Sequence, residues 1–435
     1  MSSFLVAIVG RPNVGKSTLF NRLVESRDAI VDNVSGVTRD RHYGLCEWNG
    51  KKFSVVDTGG YVSGSEDIFE GAIRQQVEIA LEECAAAVFM VDCQSGLTEL
   101  DKEFAEVLRK TQKPVFLVAN KADNAFRTQA AVEFYELGLG EYQTISAISG
   151  SGTGDLLDRL TEHIPADHRE EPSTLPRIAI VGRPNVGKSS LTNALLGYKR
   201  TIVTQIAGTT RDSVDAEYNA FGQNFILTDT AGIRRKAKVK EDIEFYSVLR
   251  SIKAIEASDV CIVMVDATVG MDAQDIHILD LALRNKKGVV IAVNKWDLIS
   301  KETMTAKKFE DEILEKLKPN DFIPVVFISV LEKQRIFKLI EKAVEVFENK
   351  NKKIPTSQLN EIMLKEIQNF PPQGNRGKIV SIKYITQLPT QAPSFLFFSN
   401  HPKYIQANYR RFLENKMRKH FGFEGVPINI MFREK

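Results

Sequence analysis

Gly10-Arg-Pro-Asn-Val-Gly-Lys-Ser17 recurs without a change as Gly182-Arg-Pro-Asn-Val-Gly-Lys-Ser189, 172 positions later. Each copy follows an apolar run and opens a helical pattern. Gly36-Val-Thr-Arg-Asp40 recurs as Gly208-Thr-Thr-Arg-Asp212, and Asp57-Thr-Gly-Gly60 as Asp229-Thr-Ala-Gly232, both at the offset of 172. Asn120-Lys-Ala-Asp123 recurs as Asn294-Lys-Trp-Asp297 at an offset of 174. Four motifs in one order, twice, mark the duplication of a whole domain, because the period is far longer than that of a solenoid repeat.

Around the motifs, short apolar runs alternate with helical stretches. The pattern predicts strands at 4–9, 53–56, 86–91, 115–119 and 143–146, and again at 177–181, 224–228, 260–265, 289–293 and 325–329. Nearly all-apolar, β-branched strands alternating with helices imply an α/β fold: a mostly parallel sheet with helices on both faces. Between the copies, the proline-rich and charged stretch 165–176 reads as a linker. The last segment differs. Helical periodicity at 357–370 and 403–421, with strands at 378–385, 394–398 and 426–432, gives the order α-β-β-α-β of a small α+β domain. The stripe Ile405, Tyr409, Phe412, Leu413 and Met417 marks the buried side of its second helix. The expected division is 1–165, a linker at 166–175, 176–350 and 351–435.

Composition agrees. At about 150 residues per domain, 435 residues suggest three domains. A chain 43% hydrophobic and 26% charged has enough apolar surface for several cores, which excludes disorder as its main state. No run approaches the roughly 20 apolar residues of a membrane span, and the first residues lack a basic leader and cleavage site. Cys46, Cys84, Cys93 and Cys261 lie far apart, against a zinc knuckle or disulfide framework and in keeping with a reducing cytoplasm. The six histidines have no metal-ligand spacing. The net charge of +2 hides an asymmetry: residues 355–435 carry 12 Lys+Arg against 5 Asp+Glu, net +7, leaving −5 for the rest. Such a split points to a polyanion facing the last domain.

The motifs have a chemistry. Gly-x-x-x-x-Gly-Lys-Ser between strand and helix is a phosphate loop, whose backbone N–H groups and helix N-terminus attract phosphate. Candidate phosphate contacts are Gly10, Asn13, Val14, Gly15, Lys16, Ser17 and Thr18, and in the second copy Gly182, Asn185, Val186, Gly187, Lys188, Ser189 and Ser190. Lys16 and Lys188 would reach the β- and γ-phosphates, and Ser17 and Ser189 would offer a hydroxyl to Mg²⁺. Asp57 and Asp229 would hold Mg²⁺ through water, and Gly60 and Gly232 would offer an N–H to the γ-phosphate. Thr38 and Thr210 would bind Mg²⁺ and γ-phosphate only with the triphosphate present, a differential contact that orders a segment. The bland alternative for each threonine is a loop cap. Asn120, Lys121 and Asp123, and Asn294, Lys295 and Asp297, select guanine. The Asp carboxylate accepts from guanine N1–H and the exocyclic amine, whereas adenine would leave it unpaired, and the Lys stem can cover the base.

These motifs resemble those of translation-factor-type GTPases. Their tandem arrangement before a small C-terminal domain resembles the EngA (Der) family of bacterial ribosome-assembly GTPases over essentially the whole chain. The resemblance implies two P-loop GTPase domains and a KH-like C-terminal domain. It implies GTP hydrolysis with Mg²⁺ at each site, slow in its intrinsic rate, and nucleotide-dependent binding to pre-ribosomal particles. The large ribosomal subunit and its rRNA are the implied partners, and a cytoplasmic monomer with no membrane partner is expected. A rival reading is a nucleotide-gated RNA- or ribosome-binding scaffold in which only one copy turns over GTP. A partner of an RNA-modifying enzyme is disfavoured, since no further catalytic domain is present.

Several positions depart from the commonest GTPase pattern. Tyr61 and Ile233 follow Asp-x-x-Gly, where a Gln would orient the attacking water. In related members the loop asparagine, here Asn13 and Asn185, helps hold K⁺, which would stand in electrostatically for an arginine finger; the alternative is a turn residue. The guanine-closing loop reads Ser146-Ala147 in one copy and Ser329-Val330-Leu331 in the other. Val330 keeps the backbone N–H that would meet guanine O6, and its bulk is expected to loosen the site. Gly374-Asn-Arg-Gly377 has the letters of an RNA-clamping Gly-x-x-Gly loop but reads as a turn, since it lies between Pro371-Pro372 and a strand. Arg410, Arg411, Lys416, Arg418 and Lys419 crowd a face of the last helix, an expected RNA contact, a solvated face or a docking surface for one GTPase domain. Ile233-Arg-Arg-Lys-Ala-Lys-Val-Lys240 places cations after the γ-phosphate sensor, an expected link between GTP and RNA or an exposed loop.

Overall fold

The computed structural model describes residues 4–25, 43–58, 80–81, 83–164, 175–197, 215–220, 222–228, 243–299, 305–373 and 379–434. They fall into two compact units. The first contains β1 (Leu5–Val9), α1 (Lys16–Glu25), β2 (Tyr43–Trp48), β3 (Lys51–Asp57), β4 (Ala86–Asp92), α2 (Glu99–Arg109), β5 (Val115–Asn120), α3 (Ala125–Ala130), β6 (Tyr142–Thr144) and α4 (Thr153–Glu162). Its six strands run in the order β2-β3-β1-β4-β5-β6. All neighbours are parallel except the β2–β3 hairpin.

The second unit repeats the plan with β7 (Arg177–Gly182), α5 (Lys188–Leu196), β8 (Ala216–Ala220), β9 (Gln223–Leu227), β10 (Val260–Asp266), α7 (Ala273–Arg284), β11 (Gly288–Asn294), α8 (Thr305–Leu317), β12 (Val325–Phe327) and α9 (Ile336–Asn351), while α6 (Ile243–Ala257) is divided between the units at residue 253. Its sheet is ordered β12-β11-β10-β7-β9-β8. The central strands are buried from end to end, as in β4 and β10, because helices cover both faces.

Sequence periodicity missed β2 and β8. Both are antiparallel edge strands, and neither Tyr43-Gly-Leu-Cys-Glu-Trp48 nor Ala216-Glu-Tyr-Asn-Ala220 has the β-branched run that marks a central strand. The central strands lie within a residue or so of the expected bounds, because burial on both faces writes them plainly.

The C-terminal elements are α10 (Thr356–Asn369), β13 (Ile382–Leu388), β14 (Ser394–Ser399), α11 (Ala407–Phe421) and β15 (Asn429–Glu434). The order α-β-β-α-β matches the expectation. β13 pairs antiparallel and β15 parallel to the central β14. Leu413, Met417 and Phe421 of α11 pack with Leu359, Met363 and Ile367 of α10 and with Phe395 and Phe397 of β14. Pro402 opens a separate 3-10 turn, Pro402–Tyr404, so Ile405 precedes α11 rather than lying on it.

Residues 426–428, expected to begin the last strand, do something else. Val426 is wholly buried in the core of the second six-stranded sheet, in one cluster with Val260, Val290, Ile340 and Val346. The Val289 N–H donates to the Gly425 carbonyl at 2.7 Å, and the Gly425 N–H donates to the Phe322 carbonyl at 2.8 Å. Val426 therefore records docking onto the neighbouring core while Ile428 packs in the C-terminal domain's own core, and the strand starts only at Asn429. Gly425 sits at φ +73°, and a Cβ there would lie 2.5 Å from Val346 Cγ2 and 2.9 Å from the Val289 carbonyl.

Gly425→Ala would combine left-handed backbone strain with a clash in the joint, on the order of 3 kcal/mol together. The expected outcome is a lower melting temperature and faster hydrogen exchange at the Val289 amide. Parent-like values for both would show that this joint does not hold the C-terminal domain.

Candidate nucleotide-binding sites

In each six-stranded sheet the parallel strands deliver their motifs to the carboxyl edge. The pairs Ile8↔Asp57 and Asp92↔Asn120 set the level in the first, and Asp266↔Asn294 in the second. That edge is where open α/β sheets bind ligands.

The phosphate loops adopt the same backbone in both units. Gly10, Asn13 and Gly15 have φ of +148°, +64° and +99°, and Gly182, Asn185 and Gly187 have +144°, +65° and +105°. A Cβ on Gly10 would stand 2.4 Å from the Met90 carbonyl, and one on Gly15 2.4 Å from Asn120 Nδ2. The corresponding distances for Gly182 and Gly187 are 2.6 Å, from the Met264 carbonyl, and 2.3 Å, from Asn294 Nδ2. Only glycine fits. Asparagine tolerates the left-handed region better than other side chains, so the turn by itself accounts for Asn13 and Asn185.

The Lys16 ammonium donates to the Gly10 and Arg11 carbonyls, each at 2.8 Å. Lys188 does the same with Gly182, at 2.6 Å, and Arg183, at 2.5 Å. Ser17 Oγ lies 2.5 Å from Asp57 Oδ2, which joins the two expected Mg²⁺ groups of the first unit. Val14 and Val186 are buried beneath the loops, while Ser17, Thr18 and Ser190 are exposed at the helix starts and Ser189 is half-buried.

Asn120 and Asn294 tie the rest together. Each donates from Nδ2 to the phosphate loop, to the Val14 or Val186 carbonyl, at 2.8 Å. Each accepts on Oδ1 from the guanine-closing loop, from the Ala147 N–H at 2.9 Å or the Val330 N–H at 3.1 Å. The amides expected to meet guanine O6 are thus donated to asparagine here, so O6 must share or take over those donors. Val330 makes the same bond as Ala147, and its side chain is buried in the core. Asp123 accepts from Ser146 Oγ at 2.6 Å and from Arg127 Nη1 at 3.0 Å. Ser329 is buried, and Asp297 is half-exposed.

Some partners were not read from the sequence. Lys121 is paired with Asp92 at 2.6 Å, and Lys295 with Asp266. Burial pushes the Asp92 carboxyl up, but the Lys121 bond and the Gln94 amide override it and hold it below the ordinary range. Asp266 is lowered likewise, by Lys295 and Thr268 against burial. Ile148 and Leu331, directly after the closing loops, are 74% and 81% exposed. The available signal was a charged residue ending an apolar strand at the repeat offset: Asp92 and Asp266 are 174 apart.

Thr38, Gly60, Tyr61, Thr210, Asp229, Gly232, Ile233, the cations at 234–240 and the tetrad 374–377 lie outside the described residues. On α11 the expected basic face divides. Arg411 and Lys419 are exposed, and Arg410 is half-buried 5.7 Å from the centre of the Phe432 ring. Lys416 is paired with Glu366 at 2.8 Å. Arg418 does not belong to that face: it donates to the Phe423 and Val426 carbonyls at 2.6 and 2.8 Å and lies 3.5 Å over the Phe322 ring. Its role is to hold the docked segment.

Burial lowers the Lys16 ammonium from 10.5 to about 8, opposed by the Asp57 carboxylate and aided by Arg11. Above that pH the empty site loses the proton, whereas bound phosphates favour the charged form. Binding then takes up a proton, and GDP affinity is expected to fall by up to about tenfold per pH unit above pH 8. Calorimetry of the Lys188→Ala chain at pH 8.5, in buffers of different ionisation enthalpy, reads the uptake. No uptake would contradict it.

Comparison with known proteins agrees with this geometry. A family described as a 50S ribosome-binding GTPase matches residues 5–121 and 177–295, and the KH-domain-like C-terminal family of EngA bacterial GTPase enzymes matches 353–433. The elongation factor Tu GTP-binding domain family matches 246–349. The chain is 60% identical over 431 residues to GTPase Der of Christiangramia forsetii, covering 99% of each chain. It is 59% identical over 433 residues to GTPase Der of Flavobacterium psychrophilum, again covering 99% of each. With two guanine-nucleotide sites and a KH-like domain in the same order, the chain belongs to the Der (EngA) family of GTPases.

Proposed function

We propose that the protein hydrolyses GTP to GDP and phosphate at two sites and that its nucleotide state gates binding to large-subunit ribosomal precursors. The observation that carries the reading is the doubled site: in each unit one asparagine joins a phosphate loop to a guanine-closing loop. The ribosomal partner is supported by the 50S ribosome-binding GTPase family that both units match. The +7 charge of residues 355–435 suits an rRNA contact. The working division is 1–165, a linker at 166–175, 176–350 and 351–435, in a cytoplasmic monomer.

The roles follow from the chemistry of the groups. Backbone N–H groups of both loops cradle the phosphates, and Lys16 and Lys188 leave their loop carbonyls for the β- and γ-phosphates. Ser17 and Asp57 form a hard oxygen pair that suits Mg²⁺, with Thr38 completing it when GTP is bound. Ser189, Asp229 and Thr210 take those parts in the second unit. Bound Mg²⁺ neutralises charge on the phosphates. Asp123 and Asp297 read the guanine edge. Positioning and electrostatics do most of the work in phosphoryl transfer. K⁺ held near Asn13 and Asn185 would add to the electrostatic part. Arg410, Arg411 and Lys419 form the rRNA face, with Lys416 at its edge.

Sedimentation with large subunits under GDP, GTP and a non-hydrolysable analogue, at stated salt, tests the gating; identical binding in all three would overturn it. Ser17→Ala and Ser189→Ala are each expected to remove one site's turnover. If one leaves turnover intact, the protein is a scaffold with a single working site. Turnover is expected to be faster in K⁺ than in Na⁺ at equal ionic strength, and equal rates would remove the cation from the mechanism. Replacing Arg410, Arg411 and Lys419 by Ala is expected to weaken subunit binding and reduce its salt slope by about 2 to 3.

A further inference from the structure

Both nucleotide-binding units repeat one more ion pair that no nucleotide motif contains. Asp101 and Asp275 stand 174 positions apart, the same offset as the guanine motifs. Each lies in the first turn of a helix, α2 or α7, in a capping box with Thr98 or Asp272. Each is 0% exposed. Each faces the arginine of the phosphate loop. Arg183 forks onto Asp275, Nε to Oδ1 and Nη2 to Oδ2, both at 2.9 Å. Its remaining donors reach the Asp272 carboxylate and, at 3.1 Å, the Gly270 carbonyl. Arg11 makes a looser version: its Nε meets Asp101 Oδ2 at 3.3 Å, its Nη2 meets Ser95 Oγ, and the buried Asp101 Oδ1 has no partner among the described residues.

We propose that Asp101 and Asp275 are positioning residues for GTP hydrolysis, each fixing through the loop arginine the carbonyls that seat the lysine ammonium. A cap needs only an oxygen, and a threonine or an exposed acid supplies one. A carboxylate removed from water is costly unless a cation answers it, so its full burial in both units points to the arginine. The arginine's own carbonyl is one of the two that hold the lysine, Arg11 for Lys16 and Arg183 for Lys188. The clamp therefore acts one residue from the lysine's seat. The other half of each loop is anchored separately, by Asn120 on the Val14 carbonyl or Asn294 on the Val186 carbonyl. Two anchors divide the loop. The asparagine holds the half that carries Val14 or Val186, which it joins to the guanine-closing loop. The aspartate–arginine pair holds the half from which the lysine reaches the β- and γ-phosphates, an assignment that rests on the GTPase reading above. The fork is closed in the second unit and open in the first, so the second depends on it more.

The test uses the full chain with the first site silenced by Lys16→Ala. Asp275→Asn keeps a capping oxygen and removes the charge. It is expected to lower kcat about tenfold or more, since small misplacements of reacting groups cost up to about a hundredfold. Affinity for a non-hydrolysable GTP analogue should fall more than affinity for GDP, because GDP loses only the lysine's contact with the β-phosphate while the analogue loses those with both the β- and γ-phosphates. Arg183→Met should behave alike, and the double variant should lose no more than the worse single one. Arg183→Lys, which keeps the charge without the fork, should recover part of the loss. If Asp275→Asn does not fold, the Arg183→Met and Arg183→Lys pair carries the comparison. The mirror variant Asp101→Asn, measured with Lys188→Ala, should lose less. Equal losses for GDP and analogue, additive losses in the double variant, no recovery by lysine, or an unchanged kcat would each overturn the proposal. If the silenced parent shows no turnover, the GTPase reading of that site fails, while the ratio of GDP to analogue affinity still decides the clamp.

Discussion

One buried carboxamide in each unit organises its nucleotide site. Asn120 donates to the Val14 carbonyl and accepts from the Ala147 N–H, and Asn294 does the same between Val186 and Val330. Segments far apart in the chain are thereby held as one surface. The carboxamide also explains a glycine: its nitrogen lies 2.4 Å from where a Cβ on Gly15 would be, and 2.3 Å in the second unit. The phosphate motif and the guanine motif are two sides of one contact. Replacing the asparagine would leave a buried carbonyl and a buried N–H unpaired, which costs on the order of 1–3 kcal/mol for each.

The sequence is most legible where chemistry narrows the choice of residue. Positive φ at Gly10 and Gly15, and the buried Asn120 that must both donate and accept, admit few side chains, so the motifs repeat almost letter for letter. The central strands are legible because both faces are buried. Edge strands β2 and β8 are not, since neither contains a β-branched residue to mark it as a strand. Partners across sequence distance are hidden for another reason. Asp92, Asp101 and their copies are single charged letters, and only the fold shows which cation each one meets.

Two readings of the last domain changed for the same physical reason. The alternation at 426–428 looked like a strand, and Arg418 looked like part of an outward face. Val426 and Arg418 both belong to the docking of the Phe423–Val426 turn on the second six-stranded sheet, where Val426 enters the core and Arg418 caps two carbonyls. Periodicity reports that a side chain is buried, not against what. Arg418 and Lys416 are paired within the protein, with Glu414 and Glu366, acids already subtracted in the net +7, so that excess is carried by other cations.

This docking bears on how nucleotide state could reach the C-terminal domain. Strand β11 carries both ends of the connection: Val289 near its start bonds Gly425, and Asn294 at its end anchors the nucleotide site. At about 3.3 Å per residue the two lie roughly 17 Å apart. Proximity along a strand is not coupling, however, because coupling needs an element with two arrangements. β11 is buried throughout and paired on both sides, with β10 and β12, which leaves it no second arrangement of comparable packing. It acts as a fixed frame. Any nucleotide-dependent signal of the kind proposed above would therefore have to travel by another element.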